Sequence, residues 1–148
     1  MPNRELTTST RYVQLRKPAN ISATATHYAN YVDLQGWDAV DFLVEYGDAS
    51  GASGGFTFTL WEADATPASE GSYTAVASAD RRGTALAALT HASTGDVQHI
   101  GYAGAKRYAA IRIAWVTDAQ CIIGVTAVLR KFGRQPSHAI SVTTGTVS

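Results

Sequence analysis

Gln98-His-Ile-Gly-Tyr-Ala-Gly-Ala-Lys-Arg-Tyr-Ala-Ala-Ile-Arg-Ile-Ala-Trp115 is a turn of small residues feeding a run of alternating side chains. After Lys106, the side chains of Ala109, Ile111, Ile113 and Trp115 fall on one face and those of Tyr108, Ala110, Arg112 and Ala114 on the other. Successive strand residues point to opposite sides of a sheet, so this spacing predicts an antiparallel strand with one buried and one wet face. Thr117-Asp118-Ala119 leads on into Gln120 to Leu129, where Cys121, Ile123, Val125, Ala127 and Leu129 share a face. The two runs read as a hairpin.

Upstream, Trp37 to Tyr46 alternates in the same way, with Val40, Phe42, Val44 and Tyr46 opposite Ala39, Asp41, Leu43 and Glu45. The turn formers from Gly47 to Gly55 join it to Phe56-Thr-Phe-Thr-Leu-Trp61, and this pair also reads as a hairpin, with a long loop. Shorter extended runs are Tyr12 to Leu15, which fits a short edge strand, Ser22 to Tyr28, Tyr73 to Val76 and Val97 to Tyr102. The first of these ends at Lys17-Pro18, because proline lacks the donor a ladder needs. A turn of helix fits Ala79 to Leu89. Many short strands with almost no helical periodicity predict an all-β fold, an antiparallel β-sandwich of jelly-roll-like topology. Residues 21–136 form the domain, with an extended N-terminal arm at 1–20 and a hydroxyl-rich C-terminal tail at 137–148. Residues 1–10, with only Leu6 apolar, cannot bury enough surface to offset the entropy of ordering them alone, and the tail has Ile140 and Val142 as its clear apolar anchors.

The length of 148 residues suits one domain with its own core. Charged residues make up 16% of the chain, below the roughly 25% usual for soluble domains. With zero formal net charge as well, the surface has little electrostatic protection against self-association. The charges are segregated along the chain. Residues 1–17 carry four basic groups and one acid, 18–80 carry nine acids and no Lys or Arg, and 81–134 carry eight basic groups and two acids. Either these segments separate in space and favour head-to-tail contacts between copies, or the strands interleave and the charges mix.

The single cysteine, Cys121, excludes an intramolecular disulfide, and beside Ile123 and Val125 it reads as a buried, inert thiol. No apolar run approaches the roughly 18 residues of a membrane span. The start Met-Pro-Asn-Arg-Glu lacks the layout of a signal peptide, so synthesis in the cytoplasm and no membrane partner are expected.

Chemistry is sparse. Gly51-Ala-Ser-Gly-Gly55 matches the G-x-S-x-G pattern, but a strand and not a helix follows it. His27, His91, His99 and His138 are scattered, with no two at helical metal-ligand spacing. No enzyme, metal or cofactor is expected. Asp38 and Asp41 near Trp37, and Glu62 and Asp64 after Trp61, set carboxylates beside aromatics, as sugar-binding surfaces and glycosidases do. Arg81-Arg82, Lys106-Arg107 and Arg130-Lys131 with Arg134 are basic clusters. Zero net charge argues against nucleic acid and makes protein carboxylates the better partner.

Val32-Asp-Leu-Gln-Gly-Trp-Asp-Ala-Val40, Phe58-Thr-Leu-Trp-Glu-Ala-Asp64, the block from Gln98 to Tyr108 and Val128-Leu-Arg-Lys-Phe-Gly-Arg-Gln-Pro136 together resemble the capsid decoration, or cement, proteins of tailed bacteriophages. The resemblance covers residues 22–136, while the arms and the 47–55 loop depart from it. It implies a sandwich that assembles as a homotrimer, or another small cluster, on the outside of the virion and bridges major capsid proteins without catalysis. On that reading Arg4, Arg11, Arg16 and Lys17 serve the arm, Arg81, Arg82, Lys106 and Arg107 contact carboxylates, and Trp37 and Trp61 are core or interface anchors. Two other readings stand beside it. One is a head-tail connector or tail structural protein, and the other a carbohydrate-binding module with Trp37, Trp61 or Tyr102 as stacking platforms.

Overall fold

The structure, a computed structural model, describes residues 10–22, 26–131 and 144–145. Its strands are β1 (Thr10–Ile21), β2 (His27–Tyr28), β3 (Tyr31–Asp33), β4 (Ala39–Tyr46), β5 (Gly55–Ala63), β6 (Thr74–Ala75), β7 (Arg81–Arg82), β8 (Leu89–Thr90), β9 (Asp96–Tyr102), β10 (Tyr108–Val116), β11 (Cys121–Arg130) and β12 (Thr144–Gly145). One sheet runs β1-β11-β4-β9-β7, and the other runs β12-β3-β10-β5-β6 with β2 on β10 and β8 on β5. Among the described residues every strand pairing is antiparallel, and the fold is an all-β sandwich.

The alternation read from the sequence sets the core. Val40, Phe42 and Val44 from β4, Ile123, Val125 and Leu129 from β11, and Phe56, Ile111 and Ile113 from the opposite sheet are buried in one cluster. Each such side chain contributes about 1.5–3 kcal/mol by leaving water.

Neither expected hairpin forms. β4 and β5 lie in different sheets, and so do β10 and β11. Alternation fixes which face of a strand is buried, but two strands that face each other across the core satisfy it as well as two that lie side by side. The turn after β10 therefore carries the chain between sheets. Thr117 and Asp118 take positive φ there, and the Trp115 indole N–H donates to the Ala119 carbonyl at 2.7 Å. Gly54 is needed beside that turn, since its φ is +81° and a Cβ on it would strike the Val116 and Thr117 carbonyl oxygens. From β3 to β5 and from β9 to β11, consecutive strands cross from sheet to sheet, as in jelly-roll-like sandwiches.

Within the expected arm, the short edge strand expected at Tyr12 to Leu15 is present but longer, since residues 10–21 form the edge strand of the first sheet, paired with β11 from Thr10 opposite Arg130 to Ile21 opposite Cys121. Leu15 and Ile21 anchor the strand in the core. Pro18 does not end it, because it falls at a register shift between Arg16 and Ala19 on an edge, where a missing donor is tolerated. Its ring lies against Gly124 of β11, where a Cβ would come within 2.9 Å of Pro18 Cγ. From the C-terminal segment, Thr144 and Gly145 pair with β3. Arg4, Arg134, His138 and the rest of both terminal segments lie outside the described residues.

The wet face predicted for β10 is half covered. Tyr108 and Ala110 are buried on the outer side of the second sheet with Tyr31, Ala63 and Tyr73. The segment after β5 folds back over them, with Thr66 Oγ1 at 3.0 Å from the Tyr108 hydroxyl. Between Ala79 and Leu89 the helical expectation shrinks to a 3-10 turn at Ser78–Asp80, followed by β7.

Candidate functional site

Two turns at one end of the sandwich, 34–38 and 103–107, bring Trp37, Lys106 and Arg107 to a single cleft of about 340 Å³, with Gln35, Asp38 and Tyr102 also in its walls. The turns are tied together by backbone. Leu34 N–H donates to the Arg107 carbonyl at 2.8 Å, Trp37 N–H to the Leu34 carbonyl at 2.9 Å, and Asp38 N–H to the Arg130 carbonyl at 3.1 Å.

Beneath the cleft, Tyr102 of β9 bridges the two sheets. Its hydroxyl donates to Glu62 Oε2 of β5 at 2.6 Å and accepts from the Lys106 N–H at 3.0 Å. Burial, and then the bond to Glu62, push the phenol pKa upward. Gly104 passes directly over the ring, where a Cβ would strike the Tyr102 hydroxyl, so the small residues of this turn make room for the tyrosine. At the rim, Arg107 Nε and Nη2 grip Asp33 Oδ1 and Oδ2 at 2.9 and 2.6 Å. That bidentate bond holds the Asp33 carboxyl below the usual carboxylate range, helped by the Gln35 N–H, and raises the Arg107 pKa in turn. Lys106 Nζ lies 3.4 Å from Asp64 Oδ2 and 3.3 Å from Thr74 Oγ1.

The carboxylates expected to meet Lys106 and Arg107 thus come from the same chain. Arg112 with Glu70 at 3.5 Å and Arg130 with Asp41 at 3.1 Å extend the pattern. Arg82 donates to the Ala79 carbonyl at 3.1 Å, and with Arg81 it lies on the β7 edge. Arg11 and Lys17 are exposed on the opposite edge, while Arg16 between them is half-buried, which lowers its pKa. Burial, and then the charge of Arg16, likewise lower the His27 pKa.

The aromatic candidates separate. Trp61 packs edge-on to Tyr73 at 5.9 Å beneath the Arg112 guanidinium at 5.3 Å, on the outer face of the second sheet and away from the cleft. Tyr102 is 3% exposed and offers no platform. Trp37 packs its inner side on the core, and its indole N–H is buried without a hydrogen-bond partner.

The other end of the sandwich is different in kind. Its loops, 47–54, 91–96 and 117–120, hold Asp48, Asp96 and Asp118 and no Lys or Arg. Asp48 accepts from the Gly95 N–H at 2.7 Å, and Ser50 pairs with Gln120, so the three loops lie together. The length of β4 puts this tip about 25 Å from the cleft. The sequence segments of opposite charge therefore interleave, but the two ends of the strands differ in charge.

Ser53 lies in the loop that precedes β5, not at a strand-to-helix turn. Cys121 is buried, its thiol pushed up by burial and donating to the Gly47 carbonyl at 3.3 Å. Among the described residues no group of His, Cys, Asp and Glu is arranged to hold a metal ion, and no helix is long and apolar enough to cross a membrane.

No protein-family profile and no curated protein matches the chain. Among solved structures, it is similar to the SPBc2 prophage-derived protein YomS, with a TM-score of 0.40 and 11% identity over 81% of this chain and 91% of that one. No property passes from that protein to this one on so remote a likeness.

Proposed function

We propose that the protein is a structural component of a tailed-phage particle, a decoration protein that sits on the capsid exterior, clusters with copies of itself as a trimer and bridges major capsid proteins. The observation that carries this reading is the difference between the strand ends. An acidic tip without Lys or Arg faces away from an end where Lys106, Arg107 and Arg130 are paired with carboxylates of the same chain, while Arg81 and Arg82 on the β7 edge are in no ion pair among the described residues. Acids at the tip and the two arginines of β7 support contacts in which one molecule's tip meets a neighbour's β7 edge, and repetition around a shell multiplies shallow contacts. The sequence resemblance supplies the phage setting, and its segments converge in space. Val32–Val40, Phe58–Asp64, Gln98–Tyr108 and the described part of the last block all reach the cleft end.

Mechanism follows from linkage. A protein that binds only the expanded shell stabilises it by RT ln(1 + [L]/Kd), about 2.7 kcal/mol per site at a hundredfold excess over Kd. Heads prepared without the protein are expected to break at lower temperature and to recover when purified protein is added. No difference between the two preparations would overturn the assignment. Quantitative gel staining of intact particles separates the alternatives, since a decoration protein is present on the order of hundreds of copies and a connector or tail component on the order of six to twelve.

A further inference from the structure

We propose that the outer face of the first sheet is a self-association surface, on which a second copy of this chain packs face to face. The contact uses neither the acidic tip nor the β7 edge, and it does not depend on the structural role.

The two sheets differ in what lies over them. The segment after β5 covers the outer side of the second sheet at Tyr108 and Ala110. In the first sheet, Val13, Val44, Ile100, Cys121 and Ile123 pack inward on the core. Their neighbours Tyr12, Leu43, Val97 and Ile122 therefore point outward. The Pro18 ring lies on the same side, against Gly124. Among the described residues nothing roofs these side chains, since Tyr12 is 70% exposed, Val97 54% and Ile122 53%. The water-facing side of an antiparallel sheet is ordinarily polar, and apolar residues gathered there mark a contact.

Area and charge point to a second copy. The four strands β1, β11, β4 and β9, over the run from Ile122 to Val128, present a face about 20 Å wide and 25 Å long, or roughly 500 Å². Two such faces together bury roughly 1,000 Å², which just reaches what a specific contact needs. Sheets stacked in this way are also how the fold's own two layers meet. At one end of the face Asp41 is paired with Arg130, whose side chain is 50% exposed. At the other end Glu45 is exposed and in no ion pair among the described residues. Turned end for end, a second copy sets its Glu45 over the Asp41–Arg130 pair, where the guanidinium has donors for a second carboxylate. Two-fold symmetry makes that contact twice.

The experiment is sedimentation equilibrium of the full chain from about 1 to 500 μM, where a monomer–dimer equilibrium with a Kd of order 10 μM is expected. Val97→Lys and Ile122→Lys each put a charge at a site that is already exposed, and each is expected to weaken the dimer by about tenfold or more. Glu45→Gln is expected to weaken it by about threefold, and Val116→Lys, exposed but off this face, to leave it unchanged. Should a lysine variant melt early, amide shifts of the wild type on dilution decide. They are expected around Tyr12, Leu43, Val97 and Ile122 and not around Trp61 and Tyr73. The proposal is overturned if the wild type stays monomeric throughout, if it associates equally well with either lysine in place, or if the shifts map elsewhere. A monomer that needs Val97 and Ile122 only to attach to heads would give the face to the shell protein and overturn it too. A dimer lost in the lysine variants with normal stabilisation of heads supports this contact. An intact dimer with no effect on heads would sink the structural reading alone.

Discussion

The two ends of the sandwich solve the same problem, closing the strands of two sheets, by opposite means. Around Tyr102 the closure is made by side chains, with a phenol bonded across the core to Glu62 and a bidentate Asp33–Arg107 pair. Around Asp48 it is made by backbone, with glycines at positive φ and carboxylates that accept from loop N–H groups. Around the cleft Lys106, Arg107 and Arg130 are compensated by carboxylates of the chain, whereas the loops of the tip hold carboxylates and no Lys or Arg. Groups already paired within the chain hold the fold, whereas unpaired ones are available to a neighbour.

That contrast sets an order of expected effects. Tyr102→Ala removes a buried ring and strands the Glu62 carboxylate, and is expected to cost about 3–5 kcal/mol in urea unfolding. Tyr102→Phe keeps the ring but leaves Glu62 without its donor, at about 1–3 kcal/mol. If both variants unfold like the wild type, the cross-sheet bridge does not stabilise the domain. At the other end, Gly54→Ala is expected to cost about 1–2 kcal/mol from its left-handed backbone alone, and more from contact with the carbonyls of the 116–117 turn. Gly83→Ala, also at positive φ but with open space around it, pays only the backbone cost. Equal losses at the two glycines would show that crowding at the tip is relieved by local movement.

Acid sharpens the comparison further. The folded-state pKa of Asp33 is depressed by Arg107, so the pair's contribution is complete above the unfolded carboxylate value and is lost as pH falls through the folded one. Wild-type Tm should therefore fall more steeply below about pH 4 than that of Asp33→Asn. Parallel curves would mean that the pair adds nothing. The smallest effect on folding belongs to the tip, where converting Asp48, Asp96 and Asp118 to Asn should move stability by about 0.5 kcal/mol or less per site. The same variant should attach to heads more slowly at low salt and equally at high salt, and a salt-independent difference would exclude charge steering.

Face assignments were legible in the sequence. Val40, Phe42 and Val44, and Ala109, Ile111 and Ile113, are buried as their spacing requires. Strand partners were not, because a period of two is blind to whether a strand's neighbour lies beside it or across the core. Trp37, Lys106 and Arg107 could be singled out as residues, but their meeting in one cleft follows from contacts with no local signature. Arg107 and Asp33 are 74 positions apart, and Tyr102 and Glu62 are 40 apart. The second aromatic cluster was missed for a related reason. Tyr108 and Ala110 occupy what alternation marks as the outer face, and only the fold-back of the segment after β5 covers them.

The seating of Pro18 against Gly124 has a consequence for crowding. An uninterrupted twelve-residue border would invite the same border of another copy to zip onto it, and copies packed densely on a surface would extend one another into ribbons. A proline without a donor, two breaks in register and the cationic Arg16-Lys17 beside them make that border a poor template. Neighbours are then left to associate through side chains and not through an added strand.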